Sequence, residues 1–273
     1  MRSLTTAKEI SWCPGCGNFG IFAAVKKALT RLTESGVSLA DIVMTSGIGC
    51  HGKIFDYLNL SGIYGLHGRA LPTAQGLKLA NPKLMVICFG GDGDSLGEGL
   101  EHTLFAAKRN MDITLILHNN GNYGLTTGQA SPLSEVGFKG LSTPKGNPEI
   151  PFVPIPLLME AGATFAARAY SAKLDHLADI LYQAFTHKGF SFVEILQPCV
   201  SYNNTYQRYN ASTRFLTELP TDEAEALRLA KDKQVDYLGV FCQKHRPVYH
   251  ETLYGGDKPP AFSLSERLKI LGG

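Results

Sequence analysis

Short apolar runs bounded by turn residues alternate along the chain with stretches whose apolar residues fall at helical spacing. The runs predict strands at residues 41–45, 84–89, 113–118 and 191–196. Residues 18–32 carry Ile21, Val25, Ala28, Leu29 and Leu32 on one helical face and meet a stop at Gly36. Further helices are predicted over 95–109, 174–188 and 221–233. Strand and helix in alternation predict an α/β fold with a doubly wound, mostly parallel sheet. Residues 126–156, rich in Gly, Pro, Ser and Thr, break the alternation. A loop of that length inside a compact domain is expected to bind something or to move. After Pro198 the pattern weakens, which divides the chain into a main domain, residues 1–205, and a C-terminal extension, residues 206–273.

Composition narrows the function classes. An apolar fraction of 44% and an aromatic fraction of 10% are those of a globular protein with a core. A net charge of +2, with Lys and Arg scattered among Asp and Glu, gives no basic footprint for nucleic acid. No apolar stretch approaches the roughly 20 residues of a membrane span, and no secretory leader follows Met1. The expectation is a soluble, cytoplasmic protein with neither nucleic-acid nor membrane partners.

In such a protein six cysteines are thiols, metal ligands or core fillers rather than disulfides. Cys88 and Cys242 lie within apolar runs and read as packing. Cys13, Cys16, Cys50 and Cys199 sit beside Gly or Pro at element ends and are the candidates for chemistry.

Two predicted strands run into polar turns, Gly90-Gly91-Asp92-Gly93-Asp94 and Asn119-Asn120-Gly121-Asn122. Ligands of open α/β sheets bind beyond the carboxyl ends of strands, so neighbouring strands would bring Asp92 and Asn120 to one edge. Carboxylate and amide oxygens suit Mg²⁺, which completes its octahedron with phosphate and water. The glycines admit a diphosphate to backbone N–H groups. Each turn alone reads as an ordinary turn. As a pair they resemble the thiamine-diphosphate motif. That resemblance implies Mg²⁺ held by Asp92, Asn120 and the carbonyl of Asn122, with the Thr126 hydroxyl on a phosphate.

Trp12-Cys13-Pro14-Gly15-Cys16 admits three readings. A thioredoxin-type redox pair has Pro and Gly in the other order and a different context. A structural zinc site usually pairs two close C-x₂-C units, whereas Cys50 and Cys199 are isolated. A [4Fe–4S] cluster takes four thiolates. Cys50 and Cys199 each follow a predicted strand, on the same edge as Asp92 and Asn120, and this favours the cluster.

Taken with Ser46-Gly47-Ile48-Gly49-Cys50, His67-Gly68-Arg69-Ala70, Tyr123-Gly124-Leu125-Thr126, Gly128-Gln129-Ala130-Ser131-Pro132 and Gln197-Pro198-Cys199, these motifs resemble the β subunit of 2-oxoacid:ferredoxin oxidoreductases over residues 10–205. The resemblance implies a sheet of the thiamine-diphosphate-binding type and CoA-dependent oxidative decarboxylation of a 2-oxoacid, 2-oxoglutarate or pyruvate, to acyl-CoA and CO₂ with electrons passed to ferredoxin. Ser46, Gly47 and Ile48 would line the thiamine rings. Gly91, Gly93, Asp94, Asn122, Gly124 and Leu125 would join the cofactor-binding set. His67 resembles a histidine near the thiamine ring that donates a proton or touches substrate. Arg69 either braces its loop or meets substrate, and Lys53 meets an anionic substrate or is a solvated surface lysine. His51, where a small residue is commoner, is expected to alter hydrogen bonding or charge near the cluster, and Thr127 stands where some relatives carry lysine. No second α/β domain is evident to supply the glutamate that activates the aminopyrimidine, so an α (or α/γ) partner is expected to provide it. The chain also lacks ferredoxin-type cysteine runs, which makes external ferredoxin the electron acceptor. Two alternatives are a non-oxidative thiamine-dependent decarboxylase and a zinc-stabilised, non-catalytic subunit.

Overall fold

The computed structural model describes residues 3–255. Eight strands form one sheet in the order β2-β1-β3-β4-β6-β5-β8-β7. They are β1 (Ile42–Ser46), β2 (Ser61–Tyr64), β3 (Met85–Gly91), β4 (Thr114–Asn119), β5 (Phe165–Tyr170), β6 (Ser191–Leu196), β7 (Thr213–Phe215) and β8 (Asp236–Gln243). Every pairing is parallel except that of β8 with β5. The helices are α1 (Asn18–Glu34), α2 (Ile54–Tyr57), α3 (Ala70–Ala80), α4 (Leu100–Lys108), α5 (Pro154–Glu160), α6 (Leu174–Thr186), α7 (Tyr206–Ser212), α8 (Glu223–Ala230) and α9 (Tyr249–Tyr254).

The central strands are short apolar runs because both faces of the sheet are covered there, whereas the edge strands β2 and β7 are largely exposed. Successive side chains alternate between two cores: Ile87 and Phe89 face α1 and α6, while Val86 and Cys88 face α3, α4, α5 and α8. Helix α1 buries Ile21, Val25, Ala28, Leu29 and Leu32 as its spacing predicts. It stops at Gly36, whose φ of +98° carries the chain out of the helix at no steric cost.

The four predicted strands are β1, β3, β4 and β6, each within a residue or two of its expected bounds. The structure adds four that periodicity does not reveal. β2 is a short edge strand containing a glycine. β5 reads Phe-Ala-Ala-Arg-Ala-Tyr, weak in the β-branched residues that mark a strand. Its Arg168 is buried against Glu194 of β6 at 2.8 Å. Strands β7 and β8, within the expected C-terminal extension, join the edge of the same sheet. The remainder of that extension, from residue 256 on, lies outside the described residues.

The chain leaves β1 outward to β2 and returns on the other side of β1 to β3 and then β4. Strand order therefore reverses between β1 and β3, and a crevice opens at their carboxyl ends, the preferred ligand position of such sheets. The turns after β1, β3, β4 and β6 all open on this edge. They carry Cys50, Asp92, Asn120 and Cys199 respectively.

Candidate active site

Two cavities occupy that edge. The first, about 400 Å³, is lined by Ile48, Gly49, Cys50 and His51 after β1, by His67, by Gly91 to Asp94 after β3, and by Asn120 and Asn122 to Thr126 after β4. The second, about 410 Å³, is lined by Cys13, Cys16, Cys50 and Cys199 together with Trp12, Lys53 and Gln197. Cys50, Asn120 and Gly124 line both, so the cavities share a wall.

Asp94 organises the first cavity. Its Oδ1 accepts the backbone N–H of Ile48 at 3.2 Å and of Gly68 at 2.7 Å, tying the turn after β1 to the turn before α3. Gly47 has to be glycine here, since a Cβ would collide with the Asp94 carboxylate. Asp92 is buried, accepts a short hydrogen bond from Ser131, and has its carboxyl pushed up to about 6, chiefly by burial. Asn120 Oδ1 accepts the backbone N–H of Asn122 at 3.1 Å. Among the described residues the side-chain oxygen of Asn122 is buried without a hydrogen-bond partner, and its carbonyl accepts the N–H of Gly124 at 3.1 Å. A desolvated carboxylate beside amide and carbonyl oxygens is a hard donor set short of a cation, which fits Mg²⁺.

The long loop is ordered around Asp92. Ser131 bonds that carboxylate, Ser134 donates to the Gly121 carbonyl at 2.6 Å, and Asn147 pins the loop's return by donating to the Ser134 carbonyl at 3.0 Å.

The four thiols of the second cavity are individually fixed. Ser201 Oγ lies 3.3 Å from Cys13 Sγ, and Gln197 Nε2 lies 3.5 Å from Cys16 Sγ. Trp12 donates its indole N–H to the carbonyl of Cys50 at 2.7 Å, while Cys199 and Asn203 exchange backbone hydrogen bonds. Burial, and after it the neighbouring thiols, push Cys50 up to about 11; burial likewise takes Cys16 to about 11. Among the described residues no three His, Cys, Asp or Glu side chains close on a point as they would around a single ion. Cys13, Cys16, Cys50 and Cys199 nevertheless all line this one cavity, a donor set of the kind a four-thiolate cluster would take.

The thiamine pyrophosphate enzyme family, in its C-terminal TPP binding domain, matches residues 47–195. A 2-oxoacid:ferredoxin oxidoreductase 1 subunit β from Aeropyrum pernix is 49% identical, over 98% of this chain and 90% of the relative. The corresponding β subunit from Saccharolobus solfataricus is 48% identical, over 77% of this chain and 69% of that one. The chain belongs to the β-subunit family of 2-oxoacid:ferredoxin oxidoreductases. Among solved structures, the 2-oxoglutarate:ferredoxin oxidoreductase from Magnetococcus marinus, with 2-oxoglutarate, coenzyme A and succinyl-CoA bound, matches with a TM-score of 0.87 at 31% identity, covering 99% of this chain and 90% of that one.

The β subunit brings most of the expected residues to its two cavities and leaves some outside. Gly91, Gly93, Asp94, Gly124, Leu125 and Thr126 line the first, and the Thr126 hydroxyl donates to Gln129 at 2.6 Å. Ser46 is fully buried below the cavity, and Gly47 serves by making room for Asp94. Lys53 reaches the thiol cavity, 3.1 Å from Ser11 Oγ, and not the cavity holding His67. Arg69 turns away to meet His102 at 2.5 Å, so it braces α3 against α4. His51, expected to act near the cluster, lines the first cavity and faces Asp94 at 3.5 Å. Thr127 adopts a positive φ of 77°, uncommon for a residue with a branched Cβ. Cys88 and Cys242 are buried packing residues.

Tyr123 and Glu98 were not among the expected site residues. Tyr123 lines the first cavity, and its hydroxyl lies 3.3 Å from Glu98. Burial, followed by the charge of Glu98, pushes that hydroxyl well above its ordinary value. Glu98 ends a π-helical turn, Asp94–Glu98, where the sequence predicts plain α-helix. The glycines at 93, 97 and 99 were the only available signal. Among the described residues no helix is long and apolar enough to cross a membrane.

Proposed function

We propose that this β subunit binds thiamine diphosphate and Mg²⁺ in the first cavity and a [4Fe–4S] cluster in the second, and catalyses CoA-dependent oxidative decarboxylation of a 2-oxoacid with electron transfer to ferredoxin. The observation that carries this reading is the shared wall of Cys50, Asn120 and Gly124. It puts a thiol-lined space in contact with the cavity that holds the thiamine-type motif, so electrons leaving the cofactor have a short path to an acceptor. Thiamine diphosphate supplies the electron sink for cleaving the bond to the carboxylate, and the cluster takes up electrons singly.

The chain's own residues hold and orient. Asp92, Asn120 and Asn122 hold Mg²⁺ and through it the diphosphate. The glycine-rich turns after β1 and β3 let backbone N–H groups approach, and Asp94 fixes those turns relative to each other. His67 faces the cavity as the proton-handling group. Cys13, Cys16, Cys50 and Cys199 ligate the cluster. The M. marinus neighbour is described with 2-oxoglutarate and coenzyme A bound, and these are the first substrate and co-substrate to test here, with pyruvate as the comparison. A partner α (or α/γ) subunit supplies the glutamate that activates the aminopyrimidine.

The test is reconstitution. Isolated β subunit should release no CO₂ from 2-oxoglutarate or pyruvate. The assembled complex should do so and reduce ferredoxin only when CoA is present. Turnover by the isolated chain, or CO₂ release without ferredoxin reduction, would contradict the reading.

A further inference from the structure

Glu98 is aimed at the cofactor cavity without lining it. Its carboxylate lies 3.1 Å from His67 Nδ1 and 3.3 Å from the Tyr123 hydroxyl, and no lysine or arginine pairs with it among the described residues. His67 and Tyr123 both line the cavity, with ring centroids 6.0 Å apart. An acidic residue before α4 would favour the helix dipole wherever it pointed. The local backbone supplies the aim. The π-helical turn Asp94–Glu98 shifts the register of the helix entry, a device frequent at functional sites. Gly68, at φ +70°, lets the His67 turn approach, since a Cβ there would fall 2.6 Å from the Glu98 carbonyl carbon. Gly97 does the same for Tyr123, whose hydroxyl would be 2.6 Å from an added Cβ.

The geometry points to Glu98 as a positioning residue for His67. Glu98 at 3.1 Å and Asp94 at 3.6 Å flank Nδ1, a buried atom with no hydrogen-bond partner among the described residues, and Glu98, being exposed, is the carboxylate free to turn onto it. Nε2 is thereby left as the ring nitrogen that faces the cavity, and Tyr123 in turn fixes the Glu98 carboxylate. An imidazole oriented by a third group is the general arrangement for a proton-handling histidine. This rests on the reading of His67 as an active-site residue, and the test separates the two.

In the assembled complex, Glu98→Ala should lower kcat about tenfold or more, because misorienting a proton-handling group forfeits part of its contribution. Glu98→Gln, which keeps an acceptor oxygen within reach of Nδ1, should recover part of that loss. Thiamine diphosphate affinity, measured by calorimetry with Mg²⁺, should stay within about twofold of wild type. The deciding measurement is Glu98→Ala in a His67→Asn background, where it should cost nothing further. An undiminished cost in that background overturns the proposal, as does a fall in cofactor affinity that matches the fall in kcat. If His67→Asn damages turnover while Glu98→Ala does not, the positioning role alone is wrong. If His67→Asn is itself silent, the reading of His67 fails and takes the role of Glu98 with it.

Discussion

Trp12 donates its indole N–H to the carbonyl of Cys50 across 2.7 Å, joining the chain's first cysteine motif to the turn after β1. The indole is 6% exposed and meets Tyr57 edge-to-face at 4.8 Å and Phe19 at 5.5 Å. Residues 3–17 contain no helix and no named strand. A bridge between Thr5 and Leu58 and hydrogen bonds to Tyr57 and Asn59 hold the front of this segment, and Trp12 anchors its end. Cys13 and Cys16 follow it into the thiol cavity, so the anchor sets half of the proposed ligand set.

Trp12→Phe keeps a ring but removes the hydrogen bond. It should leave the fold intact and speed the loss of iron to an added chelator. Trp12→Ala, which also empties the ring site, should cost about 3–5 kcal/mol of stability. Chelator kinetics and thermal unfolding measure the two effects separately.

Asp92 yields a pH dependence. Burial raises its carboxyl from 3.8 to about 6, so the folded chain without a cation keeps a proton that the unfolded chain has released. Stability of the cation-free chain should fall as pH rises from about 4 to about 6, by about 3 kcal/mol. Mg²⁺ with thiamine diphosphate should bind more tightly across the same rise, because the cation needs the carboxylate. Asp92→Asn should abolish the pH dependence and most of the binding while leaving iron content unchanged. Calorimetric titrations of both chains across that pH range check the sign.

Gly47→Ala should behave like Asp94→Ala. The first drives a methyl group into the Asp94 carboxylate; the second removes the acceptor of the Ile48 and Gly68 N–H groups. Each N–H left without a partner costs about 1–3 kcal/mol. Both variants should lose thermal stability and cofactor affinity together. A Gly47→Ala chain as stable as wild type would show that the two turns are not held as described.

Arg168 and Glu194 form a buried ion pair between β5 and β6, and Glu194 Oε1 also accepts from Asn119 at 2.8 Å. Arg168→Met should destabilise by about 3–5 kcal/mol, since it strands a buried charge. The double substitution Arg168→Met with Glu194→Leu should recover most of that loss. Denaturant unfolding of the two singles and the double gives the coupling directly.

What the sequence makes legible follows from where the physics is local. The doubly covered central strands are largely apolar runs closed by turn residues, Gly after β1, Gly and Asp after β3, Asn and Gly after β4 and Pro after β6, so these strands and the turn residues Asp92 and Asn120 can be read off one after another. β5 escapes because its stability is tertiary: Arg168 is at home in a strand only when Glu194 stands beside it. Strand β8 carries Gly239 at φ +145° and pairs antiparallel with β5 through a shift in register, neither of which periodicity signals. His51, where a small residue is commoner, is expected to alter hydrogen bonding or charge near the cluster, and its contact with Asp94 is not visible from that position. The short 3-10 turn His51–Lys53 turns His51 toward Asp94 and Lys53 to the thiols. Glu98 was hidden inside what reads as an ordinary helix, because a π-turn leaves no periodic mark.

The central claim is that a cluster sits against the cofactor cavity, and its most direct test is the content of iron, acid-labile sulfide and zinc per chain in anaerobically purified protein. The account predicts about four irons with matching sulfide, lost on Cys50→Ala while thiamine diphosphate binding persists. Zinc without sulfide would contradict it and leave a zinc-stabilised subunit, and intact protein with neither metal would indicate a non-oxidative thiamine enzyme.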